Sequence, residues 1–256
     1  MKGLVNIWIL VTLFINLLYG QQADLTKNSL SIKQCLLPKT HPIYVQLHEI
    51  FTDLHQFDSP DHWRKSGFYV NERAHRGLMV GSHPSIQGYL FKKFDHSISQ
   101  KEQILNYLRR INGARNLSKF IASNQLKFIV VPKKWLFPLP KKFNNTKTNK
   151  KTYLLVVEKM NICGGELDRT GEIEQCYRNI DIDVLRELCM VVFNFRGLDS
   201  VLRNMPFTYQ GQIAFIDTER WARKRDGFLL HVMPFLNADK KAVVLGVIQE
   251  LQLAAK

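Results

Sequence analysis

The sequence is poor in the groups that mark several large classes of protein. It has only four cysteines, Cys35, Cys163, Cys176 and Cys189. No CxxC pair and no Cys/His spacing of the zinc-binding kind accompanies them, which argues against a zinc module. The eight histidines are scattered and make no ligand set. There is no G-x-S-x-G turn, which argues against a hydrolase built on a nucleophile elbow. Low-complexity stretches and internal repeats are absent. Beyond the first twenty residues, no run is long and apolar enough to span a bilayer. Acidic residues disappear altogether between Glu102 and Glu158.

What is present begins with charge. Lys and Arg outnumber Asp and Glu by 36 to 22, a net charge of +14. The acid-free stretch carries Arg109, Arg110, Arg115, Lys119, Lys127, Lys133, Lys134, Lys141, Lys142, Lys147, Lys150 and Lys151. A surface of one sign attracts polyanions, phosphorylated ligands, acidic proteins and anionic membranes. The alternative is a solvated face that serves solubility alone. No nucleic-acid-binding motif accompanies the charge.

Residues 1–20 combine Lys2, the apolar run Leu4–Leu18 and a small residue at Gly20, the pattern of a secretory signal peptide. The expected location is therefore secreted or exported, with a retained anchor as the alternative. In an oxidising compartment Cys163 and Cys176 could close a loop, although spacing alone does not decide pairing.

Periodicity predicts a short helix after Pro42 and strands over Gly77–Gly81 and Gly88–Phe94, split by Ser82, His83 and Pro84. Ser99 and Glu102 form a capping-box pattern that opens a helix running to Gly113, followed by another turn or two near Leu117–Ile121. Phe128–Val131 reads as a strand, and the run from Pro138 to Lys151 as a polar basic loop with an N-x-T sequon at Asn144. Tyr153–Val157 is an apolar β-branched strand. A helix is expected over Ile182–Phe195, a hairpin around Gly211, and an amphipathic helix from Asp239 to Leu253. The fold class expected is α+β.

The segment that carries chemistry is GLDSVLRNMPFTYQGQIAFIDTE, residues 197–219. Asp199, Asn204 and Asp217 stand in an order and spacing that resembles the catalytic loop and metal-binding segment of the protein-kinase-like superfamily, which includes the aminoglycoside kinases. Phosphoryl transfer gives that spacing a reason, because an acid must orient the hydroxyl while an amide and a second carboxylate hold magnesium on the phosphates. The resemblance implies a two-lobed protein-kinase-like fold with a reduced C-terminal lobe. It assigns residues 21–76 to an N-terminal extension, 77–160 to a β-rich N-lobe and 161–256 to a helical C-lobe. It implies ATP and magnesium as cofactors, with Asn204 and Asp217 on the metal and Asp199 as catalytic base. Lys92, in the strand GYLFKKF, would hold phosphates in preference to Lys93. Glu158 and Met160 would mark the segment that receives adenine.

The chain departs from that pattern at several points. Leu198 stands where an arginine would precede Asp199, and Thr218-Glu219 follow Asp217 in place of Phe-Gly. The hairpin Gly81–Gly88 lacks a glycine-rich phosphate loop, and the helix after Lys92 offers only Glu102 as an ion-pair partner. These departures leave two readings open: a kinase acting on a protein, lipid or small-molecule hydroxyl, and a pseudokinase or non-catalytic secreted binding protein with a basic surface.

Overall fold

The structure is a computed structural model that describes residues 31–53, 57, 59–71, 77–94, 98–140, 152–163, 170–195, 197–198, 201–219 and 231–254. The expected signal segment, the sequon at Asn144 and the candidate base Asp199 lie outside the described residues.

Five strands, β1 (Tyr69–Asn71), β2 (Leu78–His83), β3 (Ile86–Phe94), β5 (Lys134–Pro138) and β6 (Tyr153–Glu158), form an antiparallel sheet in the order β1-β2-β3-β6-β5. A second ladder pairs β4 (Ile129–Val130) in parallel with β7 (Ile213–Ala214). Seven α-helices are found among the described residues: α1 (Ile32–Cys35), α2 (Tyr44–Asp53), α3 (Pro60–Lys65), α4 (Gln100–Ser123), α5 (Thr170–Arg178), α6 (Ile182–Asn194) and α7 (Ala238–Ala254). The chain is an α+β protein. None of these helices is long and apolar enough to cross a membrane.

Strand β6, between β3 and the edge strand β5, has a YLLVV run that is buried on both faces. Alternation sends Leu154 and Val156 to one face, where Met79, Phe91 and Phe137 join them under an aromatic cluster of Phe51, Phe57, Trp63 and Phe68. Phe57 stacks on Trp63 with ring centroids 4.3 Å apart. The residues expected to be an N-terminal extension therefore roof this sheet face, and β1 lies inside that expected extension.

On the opposite face Leu136, Leu155 and Val157 pack with Tyr107 and Ile111 of α4. The two helical pieces expected near Gly113 are one 24-residue helix. Glycine at mid-helix costs roughly 1 kcal/mol relative to alanine. That is outweighed here because Ile111, Ala114 and Leu117 bury one stripe of the same helix. Ser99 Oγ accepts the Glu102 N–H at 3.3 Å and sets the helix start.

Strand β5 was hidden in the sequence between Pro132 and Pro138. It lies at the sheet edge, where a terminal proline forfeits no ladder bond. A third core gathers Tyr177 of α5, Leu185 and Leu188 of α6, Val244 and Val247 of α7, and Met205 and Phe215. Helices α6 and α7 match their sequence expectation within a residue or two.

Candidate functional site

Register places two lysines on one face of the sheet. Lys92 pairs with Leu155 and Leu90 with Val157, while Lys134 lies across from Val157 and Leu136 from Leu155. Side chains alternate along a strand, so Leu90, Lys92, Lys134 and Val157 share the face that α4 packs against. Lys93 takes the other direction, is 5% exposed, and donates to the Phe94 carbonyl. Lys92 and Lys93 thus point to opposite faces of the sheet, Lys92 to the face covered by α4.

Toward this face comes the hairpin that carries Asn204 and Asp217. The Ile216 N–H donates to the Asn204 carbonyl at 3.1 Å, and Ala214 N–H to the Pro206 carbonyl at 2.8 Å. Gly211, with φ +77°, makes the tight return between them. Three neighbours brace the outgoing limb: Tyr177 Oη donates to Met205 O, Cys163 N–H to Phe207 O, and Tyr209 N–H to Asn161 O. The incoming limb is stitched to β4 by the bonds Ile213 N–H to Phe128 O and Phe215 N–H to Val130 O. Asn204 and Asp217 are thereby held on adjacent rungs of one hairpin.

Asp217 is met by a cation that sequence reasoning did not assign. Arg110, from the middle of α4, places Nη1 3.2 Å from each Asp217 oxygen and Nη2 2.6 Å from Glu219 Oε2. Its side chain is only 8% exposed. Its Nε is buried with no hydrogen-bond partner among the described residues. Thr218 is fully buried between the flanking elements; its hydroxyl donates to the Arg110 carbonyl and accepts from Lys134 Nζ at 2.8 Å. Lys134 Nζ also donates to the Ile216 carbonyl. The Asp217 turn is consequently clamped from the helix and from the sheet edge.

The charges act on one another. Burial pushes the Asp217 carboxyl up, but Arg110, Lys92 and Lys134 outweigh it and hold its pKa below the usual range. Burial, with help from Arg110, lowers the Lys92 ammonium to about 8, against the opposing pull of Asp217. Burial likewise drives Lys134 well below an ordinary lysine, again opposed by Asp217. Arg110, Lys92 and Lys134 thus all act on the Asp217 carboxylate, and Arg110 also pairs with Glu219.

A cavity of about 310 Å³ opens beside this cluster, between the sheet face and the hairpin. Leu90, Val157, Met160, Ile162 and Ile216 give it apolar walls, Lys92 lies at the charged end, and exposed Tyr209 stands at the rim. The size and the mix of apolar wall with a few polar groups suit a small ligand. Glu158 and Met160 line it as well. The Glu158 carboxylate accepts the Lys133 N–H at 3.0 Å, so it is held at the strand end.

Of the residues expected from the sequence, the structure gathers Lys92, Glu158 and Met160 around one cavity. It brings Asp217 beside Lys92, sets Asn204 on the adjoining rung, and leaves Asp199 outside the described residues. Arg110 and Lys134 were missed. Both had been counted into a single basic surface, yet they are 7% and 4% exposed. The acid-free stretch is therefore partly an internal feature. Among the described residues, no three His, Cys, Asp or Glu side chains group closely enough to share a metal ion. All four cysteines are free, with the Cys163 and Cys176 thiols adjacent to each other.

No family model and no curated protein matches the chain. Among solved structures the chain is similar to a crystal structure of WbdD, at 14% identity and a TM-score of 0.30. That likeness covers 59% of this chain and 32% of WbdD, so the chain spans about a third of the other's length. So slight a likeness identifies no family.

Proposed function

We propose that the cavity is a nucleotide-binding cleft in a protein-kinase-like arrangement, with the phosphates at Lys92 and the base between Leu90, Val157, Met160 and Ile216. The observation that carries this reading is that Lys92, from the third strand of the sheet, lines an apolar slot and lies in the field of Asp217, from a hairpin far along the chain. A lysine on the third strand, followed by a helix that faces it, is the arrangement kinases use for nucleotide phosphates. Here the helix contributes Arg110 where that pattern has a glutamate.

Asn204 and Asp217 are the pair that the resemblance offers to magnesium. Both Asp217 oxygens already accept from Arg110, so as they stand these residues do not fit a metal ion. Together with Thr218-Glu219 after Asp217 and Leu198 before Asp199, this favours nucleotide binding of the pseudokinase kind. Transfer to a protein, lipid or small-molecule hydroxyl oriented by Asp199 is the enzymatic extension of the same proposal. Export, read from residues 1–20, belongs to it too.

A thermal-shift titration of residues 21–256 with ATP and ADP tests the cleft. Binding to the native state alone adds about 2.7 kcal/mol at a hundredfold excess over Kd, a rise in Tm of about 5–10 °C for a domain of this size. Lys92→Met should weaken the response about tenfold or more, the worth of a hydrogen bond to a charged group. No rise with any nucleotide would retire the reading.

A further inference from the structure

We propose that the cleft binds its phosphorylated ligand, a nucleoside di- or triphosphate, without a divalent cation, because the Arg110 guanidinium already holds the carboxylates that a metal would need. The proposal rests on the reading of the cavity as a nucleotide cleft.

A divalent ion in such a site has two electrostatic duties. It neutralises the carboxylates that would otherwise repel the phosphates, and it supplies positive charge to the phosphates themselves. Both duties are already filled. Arg110 reaches the two oxygens of Asp217 at 3.2 Å and Glu219 at 2.6 Å. Lys92 lines the cavity and supplies the positive charge that meets a phosphate, while Lys134 is bound to the Ile216 carbonyl and the Thr218 hydroxyl.

Arg110 is also hard to displace. A guanidinium keeps its proton across the accessible pH range, so no titration releases the carboxylates. It is held in position by the helix it belongs to, and its own backbone carbonyl accepts from Thr218, the residue following Asp217. A metal that took Asp217 as a ligand would leave the buried guanidinium with Glu219 alone, and stripping a partner from a buried ion pair is strongly unfavourable.

The test is isothermal titration of wild-type protein with ADP and with ATP, once in EDTA and once with excess magnesium. Affinities within about twofold of each other in the two buffers are the expected result. Binding tenfold or more tighter with magnesium would overturn metal independence and leave the nucleotide cleft standing. Absence of binding in both buffers would overturn the cleft and this inference together. Arg110→Met should lower the affinity in EDTA at least tenfold, and an unchanged affinity in that variant would remove Arg110 from the role. If the methionine variant does not fold, Arg110→Lys takes its place. It keeps the charge but cannot span two carboxylates, and an affinity in EDTA equal to wild type would count against the proposal in the same way.

Discussion

At the scale of single residues, the site is governed by burial working against pairing. The Lys92 ammonium, at about 8, is held down by burial and by Arg110 and partly restored by Asp217, with Lys134 as the further cation nearby. A protonated lysine is what phosphate needs. Nucleotide affinity should therefore be flat below about pH 8 and fall as pH rises through that value, by up to about tenfold per unit for one linked proton. Titrations from pH 6.5 to 9.5 check this, and Lys92→Met should flatten the profile. The depressed value also means that charged Lys92 opposes folding below about pH 8, an opposition that fades toward the unfolded lysine value near 10.4. Asp217 has the opposite sign. Its folded pKa lies below the unfolded value of about 3.9, so its stabilisation is complete above that value and is lost as pH falls through the folded one. Asp217→Asn should cost about 3 kcal/mol at neutral pH, by analogy with removing one partner of a buried pair. In urea melts, the gap between wild type and variant should stay constant from pH 8 to about pH 5 and narrow below about pH 4. A gap as wide at pH 3 as at pH 7 would show that Asp217 acts by packing and not by charge.

Elements were legible in the sequence to the extent that their cause was local. Helices α6 and α7 carry apolar stripes at helical spacing, and β6 is an unbroken apolar run, so their bounds were readable almost to the residue. The hairpin of Asn204 and Asp217 was readable because Gly211 marks its return. Strand β5 was not, since KWLFP between two prolines has the composition of a loop, and only its position beside β6 makes it a strand. Lys134 and Arg110 were hidden for a related reason. A basic residue in a basic stretch looks solvated until the tertiary fold brings its partners from more than eighty residues away, a carboxylate for Arg110 and a hydroxyl and a carbonyl for Lys134. Gly81 tests the same lesson in the β2–β3 hairpin. In sequence it stood where a phosphate-loop glycine was sought, but a Cβ there would meet the Tyr69 carbonyl at 2.8 Å and the Trp63 ring at 3.0 Å. It is a packing glycine that lets α3 and β1 lie against β2. Gly81→Ala should therefore destabilise by about 1–3 kcal/mol, the usual cost of overpacking. Its nucleotide affinity should match wild type once the protein is folded. A lowered affinity without lost stability in denaturant melts would return Gly81 to the site.

At the scale of the molecule, the question is where the folding unit begins. The resemblance placed the start of the N-lobe at residue 77 and left 21–76 as an extension, of which residues 21–60 are polar with scattered apolar positions. The apolar positions of that extension are the ones that matter: Leu37, Ile43, Leu47, Phe51, Phe57, Trp63 and Phe68 are all buried, and they cover one face of the sheet. The Leu37 N–H donates to the Leu136 carbonyl, and Arg115 of α4 donates to the Gln34 carbonyl, which ties the segment to the sheet edge and to the central helix. Burying a large apolar side chain contributes about 1.5–3 kcal/mol. Seven of them together match or exceed the 5–15 kcal/mol that separates a folded domain from its unfolded chain. A chain cut to residues 77–256 should therefore fail to fold, although it retains every residue of the cleft. Circular dichroism should find no cooperative thermal transition in it, and ATP should produce no shift. Restoring residues 31–76 should recover both together. A cooperative melt in the 77–256 chain would mean that the aromatic roof is an accessory layer, and that the sheet is stable on the strength of α4 and the third core alone.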